Sequence, residues 1–145
     1  MDTHHNYRVD LKWKEGRRGV IASPDLNESI EVATPPDFPK GIEGIWSPEH
    51  LFIASVESCI MTTFLAIAEN SKLDFNHFSA RGTGVLAKVE KRFVVSEINL
   101  QVTLEISDIL QKEKAIRILE KSEKACLISN SINTKIIFEP IIVIK

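Results

Sequence analysis

Ser47-Pro48-Glu49-His50-Leu51-Phe52-Ile53-Ala54-Ser55-Val56-Glu57-Ser58-Cys59 is the stretch on which the fold turns. Serine caps a helix, proline is tolerated at its first position, and an acid placed next complements the positive end of the helix dipole. Apolar residues then recur at Leu51, Phe52, Ile53, Val56, Ile60, Met61, Phe64, Leu65 and Ile67, so a helix is expected to run to about Asn70. They cover most of the circumference instead of one stripe, which predicts burial on nearly all sides. A single small sheet covers only one side of a helix. A second subunit is the economical cover for the rest.

On the N-terminal side the chain reads as strands. Val9, Leu11 and Trp13 alternate with Arg8, Asp10 and Lys12, the period of a half-buried strand, and Lys14-Glu15-Gly16 supplies a turn. Gly19 to Ala22 and Ser29 to Ala33 read as two more strands around the turn Ser23-Pro24-Asp25, with an antiparallel meander as the simplest arrangement. Thr34 to Trp46, rich in proline and glycine, is a loop. On the C-terminal side a strand is expected from Val85 to Val89, then a turn near Lys91-Arg92, then a strand through Ile98, Leu100, Val102, Leu104 and Ile106. Ser107-Asp108 opens a second helix with Ala115, Ile118, Leu119, Ser122 and Cys126 on its apolar face. The chain ends in a strand from Lys135 to Ile144, which Pro140 places at a sheet edge. The order βββ-α-ββ-α-β is an α+β pattern.

Composition narrows the function. The 145 residues fit one domain, residues 1–145, and 43% hydrophobic with 26% charged residues excludes global disorder. A formal net charge of -2 leaves no basic excess for nucleic acid. Met1 to Arg8 is polar and lacks the apolar core of a signal peptide, and no unbroken apolar run reaches the roughly 18 residues of a membrane span. A cytoplasmic protein without a membrane segment is expected. In that compartment two cysteines cycle or stay reduced. His50 and His77 are not spaced to join either cysteine in a zinc site, and His4-His5 lies at the terminus, so no metal is expected.

Cys59 and Cys126 each carry two readings. A thiol on an apolar helix face is a small core residue, or it is a redox group. Both fall on the two long helices, but a disulfide needs Cα atoms within about 7 Å. A reactive thiol also needs help, because an ordinary pKa near about 8.5 leaves little thiolate at neutrality and burial leaves less. Arg17 and Arg18, in Gly16-Arg17-Arg18-Gly19, are the candidate cations, or else a solvated turn. Glu49 either holds such an arginine or only complements the dipole. Ten helical residues from Glu49 to Cys59 span about 15 Å. The helix is therefore broken, or a long arginine bridges, or the groups come from different subunits.

Three segments together resemble the OsmC/Ohr family of thiol-dependent peroxidases. They are Ser47-Pro48-Glu49-His50-Leu51-Phe52 followed by Ser58-Cys59, Ala125-Cys126-Leu127-Ile128-Ser129-Asn130, and Gly16-Arg17-Arg18-Gly19. Leu127 stands where the family often has proline. Gly44-Ile45-Trp46-Ser47-Pro48-Glu49 replaces the Thr-Asn-Pro-Glu form, which places the chain nearer the broader OsmC-like branch. The resemblance implies an OsmC-like α+β fold, with antiparallel sheets around long central helices, in an intertwined homodimer with two sites at its interface. It implies Cys59 as peroxidatic thiol, Cys126 as resolving thiol, Arg17 as the thiolate's partner and Glu49 as its orienter. The activity implied is reduction of organic hydroperoxides, and of hydrogen peroxide, in oxidative-stress defence. A lipoyl-type dithiol or a small thiol is the reductant, with no bound cofactor. Phe52, Val56, Met61 and Phe64 are the expected apolar lining. The alternative is a non-catalytic OsmC-like dimer, for stress response or ligand binding, whose cysteines are structural or a redox switch.

Overall fold

Gly16 turns the chain with a left-handed φ of 52°, joining β1 (Asp10–Glu15) to β2 (Arg18–Ala22). Antiparallel pairing continues to β3 (Ile30–Ala33), giving the sheet order β1-β2-β3. The meander is as expected, but β1 is not half-buried: Leu11 and Trp13 are 68% and 76% exposed. Alternation shows which side chains share a face, not what covers that face. A computed structural model describes residues 3–145, so Met1 and Asp2 of the polar N-terminus lie outside it. The chain divides into two compact units, Met1–Leu51 and Phe52–Lys145.

Helix α1 (Pro48–Asn70) starts where the sequence predicts. Ser47 is fully buried, and its Oγ accepts the His50 backbone N–H at 3.1 Å and meets the His50 Nδ1 at 2.6 Å. Capping thus satisfies a backbone donor that the first helical turn leaves open. The helix is unbroken to Asn70. Burial around it is narrower than expected. Val56, Ile60, Phe64 and Ala68, one residue per turn, are buried, whereas Met61 and Leu65 are exposed. One chain buries one stripe; Phe52, Ile53 and Ile67 pack partly against the core, and Met61 and Leu65 stay exposed.

The second unit carries β4 (His77–Val89), β5 (Arg92–Ile106) and β6 (Lys135–Ile144), in the order β4-β5-β6. Glu90 and Lys91 make the β4–β5 turn, both at positive φ, the backbone that a tight hairpin demands. β6 runs parallel to β5, so this sheet is mixed and not antiparallel throughout. The cause is the helical crossover between them, a short 3-10 turn (Ile109–Gln111), α2 (Lys112–Ala125) and α3 (Leu127–Asn130). Pro140 lies on the edge strand, as predicted. Ile98, Leu100, Val102, Leu104 and Ile106 turn inward from β5 and join the α1 stripe with Ala115, Ile118 and Leu119 of α2 in one core. By length, and by a mean hydropathy of 1.9 over 18 residues, α1 is apolar enough to cross a membrane. Hydropathy averaged along a helix exceeds what unbroken runs suggest. In this chain the buried stripe of α1 is that core's central row.

Candidate thiol site

Cys59 lies half-buried on α1, and Cys126 is fully buried. Cys126 does not lie on the face of α2, where the sequence places it. It follows the last residue of α2 in extended backbone (φ -65°, ψ 112°) and is also the N-cap of α3. In that role its Sγ accepts the Ser129 N–H at 3.5 Å, and its own S–H reaches the Val56 carbonyl at 3.9 Å. Helix α3 starts directly after Cys126, so the backbone N–H groups of Leu127 and Ile128 belong to its first turn.

These surroundings push the two thiols apart. Burial raises the Cys59 thiol, but hydrogen bonds from the Ile128 N–H, the Cys126 thiol, the Thr63 hydroxyl and the Leu127 N–H outweigh it. The net effect holds Cys59 below the ordinary cysteine range. Burial raises Cys126, the hydrogen bonds from Ser129 oppose this only in part, and the neighbouring Cys59 raises it further. The one proton of Cys126 has two acceptors in reach, and an ionised sulfur is stronger than a carbonyl at 3.9 Å. These contacts lower the Cys59 thiol and raise the Cys126 thiol.

Arg17 and Glu49 lie in the first unit, where both line a cavity of about 430 Å³ with Trp13, Gly19, Val32 and Phe38. Among the described residues no ion pair or hydrogen bond joins them. Arg18 lines the same cavity as Arg17. Arg18 sits opposite Ala33 on the face that carries Glu31, whose carboxyl is held down mainly by Lys14 and further by the Arg18 charge. Gly19 sits opposite Val32 on the other face, and both register pairs border the cavity. Arg17 follows Gly16 in the turn, and its carbonyl accepts the Thr34 N–H at 3.2 Å. Of the expected apolar lining, Val56 and Phe64 are sealed in the core, and Met61 faces outward. Phe52 borders a separate opening of about 610 Å³ with Val95, Ile132 and Thr134. Among the described residues no group of three or more His, Cys, Asp or Glu is placed to hold a metal ion.

The sequence names both thiols but misses their donors. Thr63 was legible, since it stands four residues after Cys59 on the same helix face. The Leu127 and Ile128 amides carry no side-chain signal. They depend on a helix ending at Ala125 and another starting at Leu127.

Residues 41–140, well over half of the chain, match the family described as OsmC-like protein. The chain belongs to the OsmC-like protein family. Solved structures agree on the OsmC-like fold. An OsmC-like protein of unknown function from Vibrio cholerae superposes with a TM-score of 0.84 at 21% identity, covering 95% of this chain and 100% of its own. An organic hydroperoxide resistance protein from Elizabethkingia anophelis gives 0.77 at 20% identity over 100% of both chains. The organic hydroperoxide resistance protein OhrB of Bacillus subtilis gives 0.69 at 20% identity, covering 95% of this chain and 98% of its own. No functionally curated protein matches the chain.

Proposed function

We propose that this OsmC-like protein is a cytoplasmic thiol peroxidase for organic hydroperoxides, working as a homodimer. The observation that carries the reading is the contact of two thiols whose surroundings favour a thiolate at Cys59 and a thiol at Cys126. The Cys59 thiolate attacks the outer peroxide oxygen and the O–O bond breaks. The alkoxide takes a proton and leaves as the alcohol, and Cys59 becomes a sulfenic acid. The Cys126 sulfur then displaces that hydroxyl, which leaves as water with the Cys126 proton, and a Cys59–Cys126 disulfide forms. A dithiol reductant restores both thiols by exchange and is itself oxidised to a disulfide.

Arg17 polarises the peroxide in this scheme and Glu49 holds Arg17, the dimer bringing their cavity to the thiol pair. Support for that part is the apolar cavity that Arg17 and Glu49 both line. The names of two structural relatives, organic hydroperoxide resistance proteins, point to the same substrate class.

Mixing the reduced protein with slightly more than one equivalent of cumene hydroperoxide, then mapping peptides by mass spectrometry, tests the cycle. A Cys59–Cys126 disulfide should form within the time the peroxide is consumed. Cys59→Ser should abolish consumption. Cys126→Ser should leave one turnover and accumulate oxidised Cys59. Two free thiols after exposure, or unchanged consumption by Cys59→Ser, would leave the non-catalytic dimer as the reading.

A further inference from the structure

Two peptide planes flank the Cα of Arg17, and a hydrogen bond ties down each of them. The Gly16 carbonyl, in the plane before Arg17, accepts the Trp13 indole N–H at 3.0 Å. The Arg17 carbonyl, in the plane after it, accepts the Thr34 backbone N–H at 3.2 Å. Peptide units are planar, so holding both planes sets φ and ψ of Arg17, and with them the direction of its Cα–Cβ bond. Strand pairing lets the indole reach this turn. Trp13 stands opposite Gly19, which presents no side chain, and the pairing of β1 with β2 is irregular between Trp13 and Glu15. An irregularity of that kind re-aims a side chain. The ring borders the same cavity as Arg17 and Glu49, yet it stays 76% exposed, so burial is not what holds it there.

We propose that Trp13 is a positioning residue, whose indole N–H pins the Gly16 carbonyl and so presents the Arg17 guanidinium to the cavity. Thr34 donates from its backbone, a bond that does not depend on its side chain. Trp13 is the side-chain half of the clamp, and its indole nitrogen can donate but not accept. The purpose of the clamp rests on the proposed peroxidase role of Arg17; the clamp itself does not.

Trp13→Phe keeps an aromatic wall and removes the N–H. Trypsin cleavage after Arg17, mapped by mass spectrometry without peroxide, reads the local opening of the turn. Trp13→Phe should raise its initial rate about three- to tenfold, the range of one net hydrogen bond. Trp46→Phe, at the other tryptophan, should cleave at the wild-type rate. The ring lies outside the core, so Trp13→Phe should keep the wild-type urea midpoint, which confines a faster cleavage to the turn. With cumene hydroperoxide, kcat/KM should fall about three- to tenfold in Trp13→Phe. Adding Trp13→Phe to Arg17→Ala should cost nothing further, because a residue that acts through Arg17 has no effect without it. The proposal is overturned if cleavage after Arg17 is no faster in Trp13→Phe. It is also overturned if Trp13→Phe costs Arg17→Ala as much as it costs wild type, since the ring then acts as a cavity wall alone. If wild type consumes no peroxide, the peroxidase reading fails, and the trypsin comparison still decides whether Trp13 pins the turn.

Discussion

Glu57, two residues before Cys59, faces a quite different environment. Its Oε2 is buried with no hydrogen-bond donor, 3.0 Å from where a side chain on Gly82 would begin. The helical neighbours at three and four residues, Ile53, Ala54, Ile60 and Met61, are apolar, and Gly82 and Leu100 complete the surroundings. Burial alone therefore pushes this carboxyl above its ordinary range. A carboxyl whose folded pKa is raised favours the protonated folded form, so its contribution is lost as pH climbs from the ordinary glutamate value through the raised one. Urea midpoints measured across that window should fall more for wild type than for Glu57→Gln. A constant gap between the two proteins from acid to neutral pH would sink the idea. Cysteine identities were legible at this scale because thiols are rare and named by type. Which thiol ionises was not, because that depends on amides and hydroxyls delivered by α1 and the α2–α3 junction.

Elements show the same division. Alternation located β5, and the Ser-Pro-Glu start located α1, since each signal is local. The first half of β4 was missed, because Ser79-Ala80-Arg81-Gly82-Thr83-Gly84 is poor in strand formers. Those glycines answer to packing. A Cβ at Gly84 would lie 2.6 Å from Ile53 Cδ1, and one at Gly82 2.7 Å from Ile53 Cγ2. Helix α1 seats Ile53 on β4 at the two positions without side chains. Gly84→Ala should therefore cost about 1–3 kcal/mol in chemical denaturation. Ile53→Val, which lacks the clashing Cδ1, should recover part of that in the double variant. If the two losses simply add, the contact is not the cause.

For the whole molecule, the open question is what covers the apolar surface that one chain leaves bare. Met61 and Leu65 on α1 are 38% and 41% exposed, and Leu11 and Trp13 of β1 are exposed as well. The proposed homodimer covers this surface with a second copy, which predicts sedimentation at twice the chain mass. Leu65→Lys, at a site exposed in the single chain, should yield folded monomer. A wild type that sediments as a monomer, or a Leu65→Lys variant that remains as tightly dimeric, would remove α1 from the interface. The sequence by itself determined the order of elements, the start of α1, the edge position of β6 and the identity of the two thiols. Each of these rests on local periodicity, capping or residue type. Only the tertiary structure decided that β6 runs parallel to β5, that Cys126 caps α3, and that Arg18 shares a sheet face with Glu31. It also decided which donors surround Cys59. Chain direction, helix ends and hydrogen-bond partners are fixed by residues far apart in sequence, and no local pattern records them.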